Sequence, residues 1–221
     1  MRNFHPSDFF RGNGYIQKMV YRKTAATEER KEARRRTLLE TSTRLFGQHG
    51  YHATTVPMIV AASGSSTGSF YSYFRNKEDI FAAVLEILGR KLLQVLVNSR
   101  NCLPDPLLGP SVAIRNLFLW MAENPDEARI LAVESSGLSP RLEQVRRSIL
   151  RLHEEHVQQT LEEDAGCVPL ENPVIVARCV VGAVFEVVCS WLEEPPDQRL
   201  PAEEVARVVS QYNQRALRGG K

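Results

Sequence analysis

Cysteine is scarce in this 221-residue chain and poorly spaced for metal or redox work. The four cysteines, at 102, 167, 179 and 189, form no Cys-x-x-Cys pair. They are expected to be reduced core residues of a cytoplasmic protein rather than disulfides or zinc ligands. A secretory leader is missing as well, because residues 1–29 contain no sustained apolar core. They also lack a helical period, so a flexible or disordered extension is expected there, and a translation start at Met19 would be equally consistent. Arg22 and Lys23 make this arm basic.

Catalytic signatures are absent too. The chain has no glycine-rich phosphate loop, no nucleophile elbow and no Cys-His context with a supporting motif. His153-Glu154-Glu155-His156 sets its histidines three apart rather than four, unlike the His-Glu-x-x-His zinc helix. With Glu162, Glu163 and Asp164 nearby, that stretch suits a solvated acidic face. No enzyme activity, cofactor or metal is expected. No strand-like alternation competes with helical periodicity anywhere. The one long apolar run, Val174 to Leu192, is interrupted by Arg178 and Glu186 and followed by Glu193, Glu194 and two prolines. A buried helix is expected there, with no membrane partner.

Charge, by contrast, is plentiful and unevenly placed. Residues 1–100 hold 16 Lys and Arg against 8 Asp and Glu, whereas residues 101–221 hold 12 against 18, so a net charge of +2 hides two opposite halves. Such asymmetry points to a nucleic-acid-binding first part and an acidic remainder. Much of the excess lies in Arg30, Lys31, Arg34, Arg35 and Arg36, which suit phosphate neutralisation.

Beside that basic cluster, residues 54–81 read as two short helices around a tight turn. Thr54 and Thr55 offer an N-cap hydroxyl, and Pro57 fits a first helical turn. Ser63-Gly64 ends this helix. Ser66 then caps a second helix from Thr67 to about Tyr73, which makes a helix-turn-helix. Phe70 and Phe74, four apart, supply a packing face. Thr67, Ser69, Tyr71 and Tyr73 are left as candidates to meet phosphates and base edges. Asn76 caps the next helix, where Glu78 and Asp79 favour the dipole and Lys77 is a candidate phosphate anchor.

The ordered set Thr54-Thr55-Val56, Ile59, Ala62-Ser63-Gly64, Ser66, Gly68, Phe70-Tyr71, Tyr73-Phe74 and Asn76-Lys77-Glu78-Asp79-Ile80 resembles the DNA-binding domain of the tetracycline-repressor (TetR) family of bacterial transcription regulators. The match spans about residues 32–82, including a helix from Arg30 to His49 that ends Leu45-Phe46-x-x-His49-Gly50-Tyr51. Thr67 stands where relatives often carry Lys or Arg, and Ser65 replaces an apolar turn residue. Bidentate arginine readout of guanine is therefore not expected at that position. The DNA-contact set expected from the motif and the resemblance is Arg34, Arg35, Thr54, Thr55, Ser65, Ser66, Thr67, Ser69, Tyr71, Tyr73 and Lys77.

The resemblance implies an all-α fold of about nine helices. It divides into a flexible extension at 1–29, a three-helix helix-turn-helix domain at 30–76, and a helical ligand-binding and dimerisation domain at 77–221. It further implies a cytoplasmic bacterial repressor, nucleoid-associated on DNA, binding a palindromic double-stranded operator as a homodimer and released by a small hydrophobic effector. The alternative is a constitutive or architectural DNA-binding protein without an effector. Periodicity supports helices over 77–100, 111–124, 125–135, from Ser139-Pro140 to Gly166, 174–192 and from Pro201 to Gly219-Gly220, with a loop over 102–110. By helical face and resemblance, Leu117, Trp120, Met121, Leu131, Glu134, Ile149, Leu152, His153, Phe185 and Trp191 are expected to line a ligand pocket. Ala177, Val181, Gly182, Val205, Val208, Val209 and Tyr212 are expected at the dimer interface.

Overall fold

The computed structural model describes residues 13–101, 109–163 and 172–218. Among the described residues nine α-helices run in order: α1 Asn13–Ala53, α2 Val56–Ala62, α3 Thr67–Tyr73, α4 Lys77–Asn101, α5 Gly109–Glu123, α6 Pro125–Arg129, α7 Pro140–Glu163, α8 Pro173–Glu193 and α9 Ala202–Arg218. No strand occurs among the described residues. The loop expected over 102–110 lies largely outside them, as do Cys102, Cys167, Gly166 and the closing Gly219-Gly220, although Gly109 and Pro110 already belong to α5.

Helix α1 begins inside the segment expected to be a flexible extension, whose residues 1–12 lie outside the described ones. It reaches back to Asn13, well before Arg30. Residues 15–46 contain neither proline nor glycine and are rich in Lys, Arg, Glu and Ala. Such residues propagate a helix without any apolar stripe to show in the pattern. Residues 26–34 are accordingly all exposed. The apolar face begins at Leu38 and Leu39 and continues through Leu45 and Phe46, all buried. Near its end α1 breaks at Gly50, whose φ of 78° and ψ of 166° suit glycine alone.

Three short connections fold the first part around α1. Thr55 caps α2, its hydroxyl accepting from the Met58 N–H at 3.4 Å, and Ser66 caps α3, accepting from the Ser69 N–H at 3.1 Å. Ile59, Phe70, Phe74, Ile80 and Phe81 join Phe46 in one buried cluster, where the Phe46 and Phe81 rings meet edge to face at 4.8 Å. Asn76 accepts from the Asp79 N–H at 2.8 Å and so starts α4.

The second part is built around α4, which packs on α5 and α7. Helix α5 lies along α9, and α7 along α8. After α6 the chain widens into a single π turn, Ile130–Glu134, where an ordinary helix to Ser135 is expected. Ile130, Leu131 and Ala132 are buried, while Glu134 is directed back to α1. Helix α8 is the one described helix long and apolar enough to cross a membrane by length and composition. In this fold it buries Ala177, Val184, Val188 and Trp191 within the protein. Of the two described cysteines, Cys189 is half-buried, its thiol pushed up to about 11 chiefly by burial. Cys179 is exposed, which corrects its expected place in the core.

Candidate nucleic-acid interface

Helix α3 is a short ridge with one face buried and one open. Phe70 is buried and Tyr73 half-buried, whereas Thr67, Gly68, Tyr71 and Ser72 are exposed. These four form two i, i+4 pairs and therefore share a stripe. A Cβ added at Gly68 meets nothing within 4 Å, so the N-terminal half of α3 faces open space. Tyr71 is 54% exposed, with its ring edge against Phe70 at 5.3 Å. Its phenol can therefore reach outward from a fixed base.

Beside this ridge, Arg30, Arg34 and Thr37 of α1 line a shallow groove together with Ser63, Gly64, Ser65, Ser66 and Ser69 of the turn. The structure thus brings Arg34, Ser65, Ser66 and Ser69 to one place. Ser69 Oγ is buried there without a hydrogen-bond partner among the described residues. Arg30 and Thr37 add to the expected set. The i, i+4, i+7 spacing from Arg30 through Arg34 to Thr37 was the available signal for them. Arg35 is turned differently: its guanidinium lies over the Phe74 ring at 5.8 Å and 3.8 Å from Glu32.

Two expected DNA contacts are corrected. Thr54 is fully buried, and its hydroxyl lies 2.8 Å from the Gly50 carbonyl and 3.1 Å from that of Leu45. Its single proton closes the end of α1. Lys77 Nζ donates to the carbonyls of Tyr51 at 2.7 Å and His52 at 3.3 Å and sits 4.3 Å from the Tyr51 ring centroid. An ammonium so held is a clamp between α1 and α4 and not an outward phosphate anchor. Burial also draws its pKa below the ordinary lysine value. The exposed cation of this region is Arg75, which reaches Asp79 with both Nε and Nη2 at 3.2 Å.

Behind the interface, the second domain grips the same corner. Glu134 accepts from the Tyr51 N–H at 2.9 Å and from Arg129 Nε at 3.1 Å. Asp79 takes Arg141 of α7 in addition to Arg75, and these guanidinium bonds, Arg75 first, hold its carboxyl well below the usual range. Ser139 donates to Glu78, and Lys91 reaches Glu127 at 3.0 Å. The corner is therefore crosslinked by charge on both sides of Tyr51.

An apolar cavity of about 170 Å³ lies among α4, α5, α7, α8, α9 and the π turn. Six residues expected at a pocket line it: Leu117, Met121, Leu131, Ile149, His153 and Phe185. Four others are corrected. Trp191 packs its ring on Phe118 at 5.7 Å and donates to the Leu200 carbonyl at 2.8 Å. Glu134 is committed to Tyr51. Trp120 lies under Lys91 at 5.4 Å, beside a separate surface groove. Leu152 falls off the stripe formed by Arg146, Ile149, His153, His156, Val157 and Thr160, which is the face α7 turns to the cavity. Leu85, Leu92 and Leu96 of α4 complete the wall. Their stripe is visible in the sequence, but which partner it meets is not.

The dimer candidates also divide. Gly182, Val208 and Tyr212 are exposed, Tyr212 at 63%. Ala177, Val205 and Val209 are buried within the protomer, and Val181 lines the cavity, which corrects their expected place at an interface. Ile175, 55% exposed, and Val187 extend the open apolar face of α8.

Residues 38–84 match the model of the family described as bacterial regulatory proteins, tetR family. The chain is 30% identical over 190 residues to the HTH-type transcriptional repressor DhaR of Mycobacterium sp. (strain GP1), covering 81% of this chain and 94% of that repressor. The chain belongs to the TetR family. Its fold is likewise that of solved TetR-type regulators. The transcriptional regulator FadR from Bacillus subtilis, solved in complex with stearoyl-CoA, superposes with a TM-score of 0.71 at 19% identity, over 80% of this chain and 96% of that one. AibR, solved with isovaleryl coenzyme A and operator DNA, gives 0.63 at 20% identity, over 81% and 97%. As a TetR-family protein, this chain is a helix-turn-helix transcription regulator and not an enzyme.

Proposed function

We propose that this TetR-family chain is a cytoplasmic repressor that binds a palindromic operator as a homodimer and leaves it when a small hydrophobic molecule enters the α4–α5–α7–α8 cavity. The observation that carries the reading is the continuity of α4. Its first turn holds the reading head, Lys77 on the Tyr51 carbonyl and Asp79 on the Arg75 N–H, and its later turns wall the cavity through Leu85, Leu92 and Leu96. A ligand that shifts α4 therefore alters how α3 is presented. A hundredfold loss of DNA affinity needs about 2.7 kcal/mol of difference between the two states.

Dimerisation is supported by the apolar side chains left open on α8 and α9, including Ile175, Val187, Val208 and Tyr212. Two copies place two α3 ridges on half-sites about one DNA turn apart. Thr67, Tyr71, Ser66 and Thr55 supply the exposed polar face, and Arg34 a neighbouring cation. The cavity weighs against a constitutive architectural binder, since such a protein has no use for an apolar cavity walled by the helix that holds its reading head. Gel-shift titration on DNA flanking the coding region at two salt concentrations, with light scattering on the free and bound protein, tests the reading. A strict monomer in both states overturns it.

A further inference from the structure

The cavity wall is selective about polarity. Its hydroxyl and amide donors are turned onto helix carbonyls: Ser135 onto Leu131 at 2.8 Å, Thr160 onto His156 at 2.9 Å, and Asn213 onto Val209 at 3.0 Å. Arg146 is engaged by the Glu143 carboxylate at 2.9 Å and 3.1 Å. His153 differs. Its side is buried, only 8% exposed, and its Nδ1 lies 2.9 Å from the Ile149 carbonyl. A carbonyl oxygen can only accept, so Nδ1 carries the proton, and in the neutral ring Nε2 is left as a bare acceptor. That atom is sealed from solvent and has no partner among the described residues, the one such side-chain atom on the cavity wall.

Size narrows the occupant further. About 170 Å³ is well under the roughly 300–1,000 Å³ of drug-sized sites and close to the roughly 150 Å³ apolar cavity that admits benzene. With one buried, unpaired acceptor on a largely apolar wall, and with the Arg146 charge held by the Glu143 carboxylate and the Phe185 ring, the fitting molecule is small, uncharged and the owner of a single donor. An unpaired buried acceptor is unfavourable, so supplying that donor favours the occupied state.

We propose that the cavity takes a compact, neutral, largely apolar molecule with one O–H group, of the phenol or small cyclic alcohol class, and that this hydroxyl donates to Nε2 of His153. The assignment rests on the ligand-released reading above, since it names the effector class of the same cavity.

The test uses the full-length protein and two probes of one shape, 4-methylphenol and 1,4-dimethylbenzene, which differ by hydroxyl against methyl. Calorimetric titration gives the ratio of their affinities for wild type and for His153→Leu. The ratio is expected to move about tenfold towards the hydrocarbon in the variant, and His153→Gln, which keeps an acceptor, is expected to retain part of the wild-type preference. If His153→Leu does not fold, the nitrogen NMR signal of Nε2 in wild type decides. It is expected to move with 4-methylphenol and stay with 1,4-dimethylbenzene. An unchanged affinity ratio in a folded variant, a stationary Nε2 signal, or no binding of the phenol overturns the assignment. Operator release is read separately. His153-dependent binding of the phenol that leaves DNA bound supports the site and removes the repressor-release reading. Release by another compound, indifferent to His153, does the reverse.

Discussion

The ammonium of Lys77 lies 2.7 Å from the carbonyl oxygen of Tyr51, while the N–H of the same Tyr51 is held at 2.9 Å by the Glu134 carboxylate. One peptide segment, just past the Gly50 break, is thereby gripped by the first residue of α4 and by the last residue of the π turn. Lys77→Ala is expected to lower stability by about 2 kcal/mol, through loss of charge-assisted bonds and the ring contact. Operator binding should fall only in step with the folded fraction. Urea melts and anisotropy titrations on the variant check this, and an undiminished stability with a reduced salt slope would restore Lys77 as a phosphate anchor.

Gly50 tests the same corner from the other side. A Cβ there comes within 3.0 Å of the Glu134 carboxylate, on a backbone with φ of 78°. Gly50→Ala is expected to cost about 1–3 kcal/mol from the positive-φ, extended-ψ backbone alone, plus the crowding. Adding Glu134→Ala should relieve the crowding and leave the backbone part, so the two changes should be non-additive in a double-mutant cycle.

On the reading face, Thr67→Ala and Tyr71→Phe are expected to relax sequence preference with little effect on stability, because both side chains are exposed. Arg34→Ala should weaken binding to all sequences and lower the salt slope by about 0.9 for each bound subunit. Thr54→Val should instead destabilise the fold by about 1–3 kcal/mol, since the buried carbonyls of Gly50 and Leu45 lose a donor. Binding isotherms at several salt concentrations separate the three patterns.

The proposed dimer is tested on α9, where Val208→Lys combined with Tyr212→Lys places two charges on an open apolar strip. The variant is expected to fold, to run as a monomer in light scattering, and to lose operator affinity by at least about tenfold, because two linked half-site contacts become one. A dimer that survives both changes would move the interface off α9.

Acid stability follows Asp79. Its folded-state pKa is depressed, chiefly by Arg75 and then by Arg141. The pairing therefore contributes stability that is fully present above the unfolded aspartate value of about 3.9 and is lost as pH falls below it. Melts from about pH 6 to about pH 3 should show a steeper acid limb for wild type than for Asp79→Asn. Equal limbs would assign acid unfolding to other carboxylates.

Local chemistry made the first domain legible: Thr55, Pro57, Gly64, Ser66 and Asn76 act through neighbours within four residues, so α2, α3 and the start of α4 appear where their caps stand. The lysine at 77 was misplaced for the opposite reason. Its partners are 25 and 26 residues away, on the other side of α2 and α3, a separation that no spacing rule describes. Helix α1 was under-read because an exposed, charged helix needs no apolar repeat.

The sequence by itself determined the all-helical class, the position of the helix-turn-helix and the family, because each depends on residue order over a short span. Only the tertiary structure decided which apolar stripe meets which. Val205 and Val209 turn into the protomer while Val208 and Tyr212 turn out, and His153 and Ile149 face a cavity while Trp191 and Glu134 do not. A stripe records that a helix side avoids water, and a neighbour hundreds of atoms away in the chain decides whether core, cavity or a second molecule covers it.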